Sequence, residues 1–388
     1  MVYGVLNLSF FGNLVAVLVL TQLTIASVTI YLHRCQAHRS IILHPVMSHF
    51  FRFWLWLTTG MITAEWVAVH RKHHAKTDIY GDPHSPKIEG LNMVLWNGIE
   101  LYRRSLMDKK MIKKYSHNTP EDWIEKNFYS KFSSKGVLLM FFLDILFFGF
   151  PGISIWGIQM LWIPFHAAGV INGIGHYFGY RNFECVDCSK NIFPWGFWIG
   201  GEELHNNHHA FSFSAKFSNK WWEFDMGWVY ICFLRFFGMV KVRKVFPRLM
   251  KDKSKLHIDL DTVKAVIRNR FQIMSCYYND VIYPILKDEK RNSFENRNKY
   301  LLNKAKYLLR LQDNFLSSNS KFLLKSVLKR YKRLQIVYNF RTSLQNIWFV
   351  TASSQKDLID ALVHWCKQAE ESNVEVLYNF SQNIKKYV

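Results

Sequence analysis

Three short stretches of the chain hold the residue types best suited to metal chemistry. They read His33-Arg-Cys-Gln-Ala-His38, His70-Arg-Lys-His73-His74 and His205-Asn-Asn-His208-His209. Eight of the 16 histidines lie in them. Neutral imidazole is the common nitrogen ligand for iron, copper and zinc. Eight imidazoles are too many for one ion, so the stretches point to a two-metal site. In the second and third stretches the intervals i, i+3 and i+4 place three rings on one helical face. His33 and His38, five apart, fall roughly 140° apart on an α-helix, which would let them serve two neighbouring metals. Zinc does no redox chemistry, and a structural zinc needs only four ligands. A histidine-rich pair of sites at a membrane face therefore points to two irons and O2, an oxidant strong enough for an unactivated alkyl C–H bond.

The elements between these stretches must bring them to one place. Residues 9 to 32 form an apolar run ending at His33, about as long as a bilayer-spanning helix. Residues 136 to 180 form a longer apolar stretch, broken by the turn signal Gly149-Phe-Pro-Gly152. It is long enough for two spans joined by a tight hairpin. Two spans return the chain to its starting side, so the second and third stretches can meet. Residues 41 to 67 are apolar but too short to cross twice, and one crossing would split the site. They are expected to form an interfacial or buried helix. No Lys or Arg precedes Arg34, whereas both crowd around the later stretches and over 103 to 131. The positive-inside rule then puts the histidines in the cytoplasm and the N-terminus outside. The first 33 residues have no basic segment and no cleavage site of a signal peptide.

Composition supports a division of the chain. The 388 residues include 32 Phe and 14 Trp, and aromatics make up 16%. Mean hydropathy near zero (−0.06) averages an apolar first half with a polar last third. We expect a membrane-embedded domain over 1–244 and a basic, mostly helical cytoplasmic extension over 245–388. In the latter, Leu301, Leu302, Ala305, Leu308 and Leu309 recur at helical spacing; Lys241, Arg243 and Lys244 at its border and Arg248, Lys325, Lys329, Arg330, Lys332 and Arg333 within it supply charge. The formal charge of +21 suits anionic headgroups or a phosphate-bearing substrate. With membrane spans present, nucleic acid is not the expected partner.

These residues resemble the integral-membrane fatty acid desaturases. That family has an H-x-x-x-x-H box followed by two H-x-x-H-H boxes, which here are His33 and His38; His70, His73 and His74; and His205, His208 and His209. Its acyl-CoA (delta-9) branch adds an N-x-x-x-H element followed by a G-Y-R-like sequence. Asn172-Gly-Ile-Gly-His176-Tyr-Phe-Gly-Tyr-Arg181 matches it. The flanks Gly200-Gly-Glu-Glu-Leu-His205 and Asp82-Pro83-His84 look similar too. The resemblance covers roughly residues 5 to 240. It implies an all-α, multi-pass membrane bundle with a cytoplasmic di-iron domain, in a bacterial inner membrane. It implies His176 as a ninth iron ligand and Asn172 as a ligand through water. It also implies a cis double bond made with O2 and two electrons, in a saturated chain held in a bent tunnel and carried on CoA or phospholipid. The chain lacks the H-P-G-G haem motif of a fused cytochrome, so a separate ferredoxin, cytochrome or reductase is the expected donor. The C-terminal region looks like an extension of bacterial members.

Other residues carry weaker expectations. Arg71, Lys72 and Arg181 could hold phosphates of the acyl donor, or merely obey the positive-inside rule. Asp78, Glu202, Glu203, Asn206 and Asn207 are candidates to orient metal-bound rings. His84 either supports them or does nothing, and His166 is a remote candidate ligand. Asp144, inside an apolar run, should face protein. Trp221 and Trp222 suit interfacial anchors, and Cys185-Val-Asp-Cys188 suits two free thiols. Two other functions share the histidines. A di-iron alkyl hydroxylase would add oxygen instead of removing hydrogen, and a non-enzymatic membrane protein would carry or sense metal.

Overall fold

A computed structural model describes residues 4–247, 249–293, 295–311, 316–349 and 354–388. Arg248, one of the basic residues named above, lies outside them. The chain divides into two compact units. One comprises residues up to 181 together with 187–246; the other comprises 182–186 and 247–388. The division after Phe246 falls two residues beyond the 244/245 boundary read from composition.

The first unit is helical: α1 (Phe10–Ser27), α2 (Pro45–Thr58), α3 (Thr63–Lys76), α4 (Pro86–Glu89), α5 (Leu91–Leu106), α6 (Lys109–Tyr115), α7 (Ser133–Phe148), α8 (Pro151–Ile163), α9 (His205–Ala210) and α10 (Met226–Phe236). Local sequence sets several of their ends. Ser9 caps α1 by accepting from the Gly12 N–H at 3.1 Å. Pro45 and Pro151 open α2 and α8, where a missing N–H costs nothing. Gly149, at φ +70°, makes the α7–α8 turn.

Two helices continue as wider π-helical turns, α1 through Val28–Ala37 and α8 through Pro164–Ile174. These merged helices, Phe10–Ala37 and Pro151–Ile174, are long and apolar enough to cross a membrane. The first arm of the expected hairpin, α7, has 16 residues. Val5 and Leu6 donate backbone N–H groups to Leu146 and Phe147 carbonyls, both at 2.9 Å. The start of α1 thus lies at the α7–α8 turn. Phe10, Leu14 and Leu18 of α1, Phe142 and Leu146 of α7 and Leu161 of α8 all point outward. The segment 41–67 holds β1 (Ile41–Leu43), α2 and the start of α3. β1 pairs antiparallel with β4 (Val240–Val242), and β2 (Trp195–Gly196) pairs parallel with β3 (Phe224–Asp225). Asp144 is buried and accepts from Gln159 Nε2 at 2.8 Å across the hairpin, as an apolar run requires.

The second unit is a helical bundle with its own core, including Tyr277, Val281, Leu302, Leu334, Trp365 and Leu377. The helix Asn296–Leu308 buries Leu302, Ala305 and Leu308 at the expected spacing.

Candidate metal centre

The three histidine stretches converge within the first unit and form two clusters. His33, His38, His70, His74 and His208 make one; His73, His176, His205 and His209 make the other. In each cluster, ligand atoms lie within 4.8 Å of one another. The H-x-x-H-H stretches divide reciprocally. α3 gives its i, i+4 pair, His70 and His74, to the first cluster and His73 to the second. α9 gives its i, i+4 pair, His205 and His209, to the second and His208 to the first. The three rings of each stretch therefore share a helical face but not a cluster.

His33 and His38 differ from the sequence expectation. They belong to the same cluster, with ring centroids 4.8 Å apart. The reason is the π-helix. The His38 N–H donates to the His33 carbonyl at 3.0 Å, an i→i+5 bond. Residues five apart then lie nearly one above the other, not roughly 140° apart as on an α-helix.

The spacing of the nitrogens fits metal ligation. Nε2 atoms face each other at 2.8 Å (His38–His70), 2.9 Å (His74–His208), 2.9 Å (His176–His205) and 3.2 Å (His33–His208). Nitrogens bound about 2.1 Å from one ion at right angles would be roughly 3.0 Å apart. His73 Nε2 and His209 Nε2 are buried with no protein partner. Burial pushes the pKa of His38, His70, His74, His205, His208 and His209 far below the usual imidazole range, and neighbouring imidazoles add to it. These rings are neutral, the form that binds metal. An all-imidazole donor set of this kind accepts iron.

Carboxylates orient four of the rings from behind. Glu202 Oε1 lies 2.6 Å from His33 Nδ1, Asp82 Oδ1 2.9 Å from His73 Nδ1, Asp78 Oδ2 3.0 Å from His176 Nδ1 and Asp187 Oδ2 3.0 Å from His209 Nδ1. Each fixes a tautomer with Nε2 turned inward. Burial opposes the negative charge of Asp82, but the His73 beside it holds the carboxyl down at about 2. Asp78 and Glu202 were candidates from sequence; Asp82 and Asp187 were not. Arg34 was also missed. It is fully buried, stacks on Phe217 at 3.7 Å, and reaches Asp225 at 3.0 Å and Glu202 at 3.5 Å. Its only sequence signal was a cation at the end of an apolar span. Glu203 accepts from the N–H groups of Ile199 and Gly201, and Asn207 donates to Glu223 and the Phe217 carbonyl. Asn206 donates to the Ser189 carbonyl. These bonds hold the turn and helix α9.

An apolar cavity of about 490 Å³ opens beside the clusters. Trp66, Ile163, Ala167 and Ile171 line it, along with Asn172, His70 and His205. The volume is in the range of small-ligand pockets.

The cationic candidates fare differently. Arg71 donates to the backbone carbonyls of Gln36, Ala37, Tyr115 and His117 at 2.7–3.0 Å. Its guanidinium ties the end of the first box to a neighbouring loop. Arg181 donates to the Asp187 and Ser189 carbonyls in the loop before the third box. Lys72 is half-buried and makes no ion pair among the described residues. His166 accepts from Trp198 Nε1 at 3.1 Å and lies outside both clusters. Trp221 is almost wholly exposed, and Cys185 and Cys188 form no disulfide among the described residues.

A family model described as "Fatty acid desaturase" matches residues 10–231, the stretch that carries every box. The chain belongs to the fatty acid desaturase family. Relatives of this desaturase include the Delta-9 desaturase-like 4 protein of Arabidopsis thaliana, 31% identical over 247 residues, 62% of this chain and 79% of that one. An sn-1 stearoyl-lipid 9-desaturase of Synechocystis is 32% identical, over 57% of this chain and 68% of the relative. An acyl-CoA 5-desaturase of Anemone leveillei is 31% identical, over 58% and 69%. A second family model, described as "Transposase", matches residues 263–388. Among the described residues of that stretch, no three His, Cys, Asp or Glu side chains are placed to hold a metal.

Proposed function

We propose that the chain is a membrane-bound desaturase that puts a cis double bond into a saturated acyl chain, on CoA or on phospholipid. O2 and two electrons from a separate donor, a ferredoxin, cytochrome or reductase, complete the reaction. The observation that carries this reading is the adjacency of the nine-imidazole double cluster and the apolar cavity. His33, His38, His70, His74 and His208 would hold one iron. His73, His176, His205 and His209 would hold the other, with Asn172 acting through water. Two irons with O2 supply the oxidant for a C–H bond. The protein's own residues do the rest. The carboxylates fix the ring tautomers, and Trp66, Ile163 and Ile171 exclude water and align the alkyl chain. The relatives act on acyl lipids and acyl-CoA by name, which supports a fatty acyl substrate.

The outward Phe and Leu side chains of α1, α7 and α8 support a multi-pass membrane protein, since such surfaces are rare in water. Basic residues around the boxes support a cytoplasmic face. The first unit would then be the catalytic domain and the second a cytoplasmic extension.

The test is gas chromatography with mass detection of fatty acids from a host expressing the chain. We expect an O2-dependent product two mass units lighter than its saturated parent, absent with His208→Ala. A product heavier by one oxygen, or no new product at all, would reject the reading.

A further inference from the structure

His84 belongs to neither imidazole cluster, but with His73 and Asp82 it makes a third, buried group whose nitrogen and oxygen atoms lie within 4.8 Å of one another. His84 is only 6% exposed. Its ring stacks on that of His73, with centroids 4.4 Å apart and planes at 28°. Its backbone N–H donates to Asp82 Oδ1 at 3.1 Å, the same oxygen that faces His73 Nδ1. One carboxylate thus fixes both residues. The preceding Pro83 restricts the backbone, and Ser85 on the other side bonds Asp78, which orients His176. His84 is therefore built into the frame that aligns the second cluster. It also lines the apolar cavity, beside Asn172 and His205.

Its Nε2 is buried and has no protein partner. An unpaired buried polar atom costs on the order of 1–3 kcal/mol, so such an atom, rigidly placed at a cavity wall, marks a place for a hydrogen-bonding ligand. The second cluster supplies four imidazoles where the first supplies five. A small ligand entering from the cavity side is what would equalise them.

We propose that His84 is a positioning residue whose Nε2 hydrogen-bonds the small exogenous ligand, water or an analogue such as azide, that binds at the four-imidazole cluster. The proposal rests on the two-iron reading above. Because His84 is none of the nine ligands, its loss should leave iron in place and weaken only what binds beside it.

The probe is azide, titrated optically into the purified, iron-loaded, oxidised full-length chain. Iron per chain is measured in the same samples. Wild type and His84→Phe should both carry two irons, and azide should bind roughly tenfold more weakly to His84→Phe, the loss of about one hydrogen bond. His84→Gln keeps a side-chain donor and acceptor and should recover most of that affinity. Loss of one iron in both variants would make His84 a ligand and overturn the proposal. So would unchanged azide affinity in His84→Phe, or a loss of affinity in His84→Gln as large as in His84→Phe. Fewer than two irons in wild type would be a separate failure, that of the two-iron reading, and His84 would fall with it.

Discussion

At the residue scale, the site consists of imidazoles and the carboxylates behind them. The carboxylates are the more instructive group. Asp82 illustrates this, since its two oxygens serve His73 Nδ1, the His84 N–H and the Asp78 N–H. Asp82→Asn keeps the size but loses the charge and one acceptor. We expect iron affinity at the second cluster to fall 10- to 100-fold, as when other such supporting partners are lost. Iron retained against a graded chelator measures it, and unchanged retention would make Asp82 a loop residue only. Arg71 makes the opposite case. Arg71→Gln should lower stability by about 2 kcal/mol or more, because charged hydrogen bonds to four carbonyls are lost. The salt dependence of activity should stay unchanged. Thermal unfolding in detergent and activity across ionic strength would separate this from a phosphate-binding role. The histidines were legible in sequence because ligation demands one residue type at fixed intervals. Asp82, Asp187 and Arg34 were not, since a carboxylate or cation can reach a ring from any loop that folds back.

At the element scale, helix type decides which ring goes where. The reciprocal division of α3 and α9 follows from ordinary α-helical spacing, once two centres are allowed. The pairing of His33 with His38 does not, and no residue in Val28–Ala37 announces an i→i+5 ladder. The second π-helical segment carries Asn172 and leads to His176, and it packs closely on α5. A Cβ on Gly169 would lie 2.4 Å from the Leu95 carbonyl oxygen, a backbone atom that cannot step aside alone. Gly169→Val should therefore push α5 away, destabilise by about 1–3 kcal/mol and reduce desaturation. Gly157, on α8, has nothing within 4 Å of such a Cβ, so Gly157→Ala should leave melting temperature and product yield near wild type. Equal behaviour of the two variants would show that the α5 contact does not position the site. The glycine itself was plain in sequence; what it faces depends on Leu95, more than 70 residues earlier in the chain.

At the scale of the whole molecule, the meeting of the boxes constrains how the first unit would cross a bilayer. His38 and His70 face each other at 2.8 Å, and His74 and His208 at 2.9 Å, so the proposed membrane topology requires an even number of crossings between residues 74 and 205. Pro151–Ile174 is long and apolar enough to cross. If it does, α7 must cross with it, although 16 residues rise only about 24 Å. The hydrogen bonds from Val5 and Leu6 to Leu146 and Phe147 set the α7–α8 turn beside the start of α1. All three helices then run from one face, which holds the turn, to the other, which holds the histidines. Lys and Arg are absent before Arg34 and dense around the boxes, so the positive-inside rule predicts a cytoplasmic histidine face for the proposed topology. Sequence suggested this topology from charge and parity; contact between the boxes supplies the physical reason for the parity. A reporter inserted between 106 and 109, or fused after Val388, should read cytoplasmic, and one placed ahead of Phe10 should read periplasmic. A periplasmic reading after Val388 together with a cytoplasmic one at 106–109 would mean that α7 and α8 do not cross as a pair.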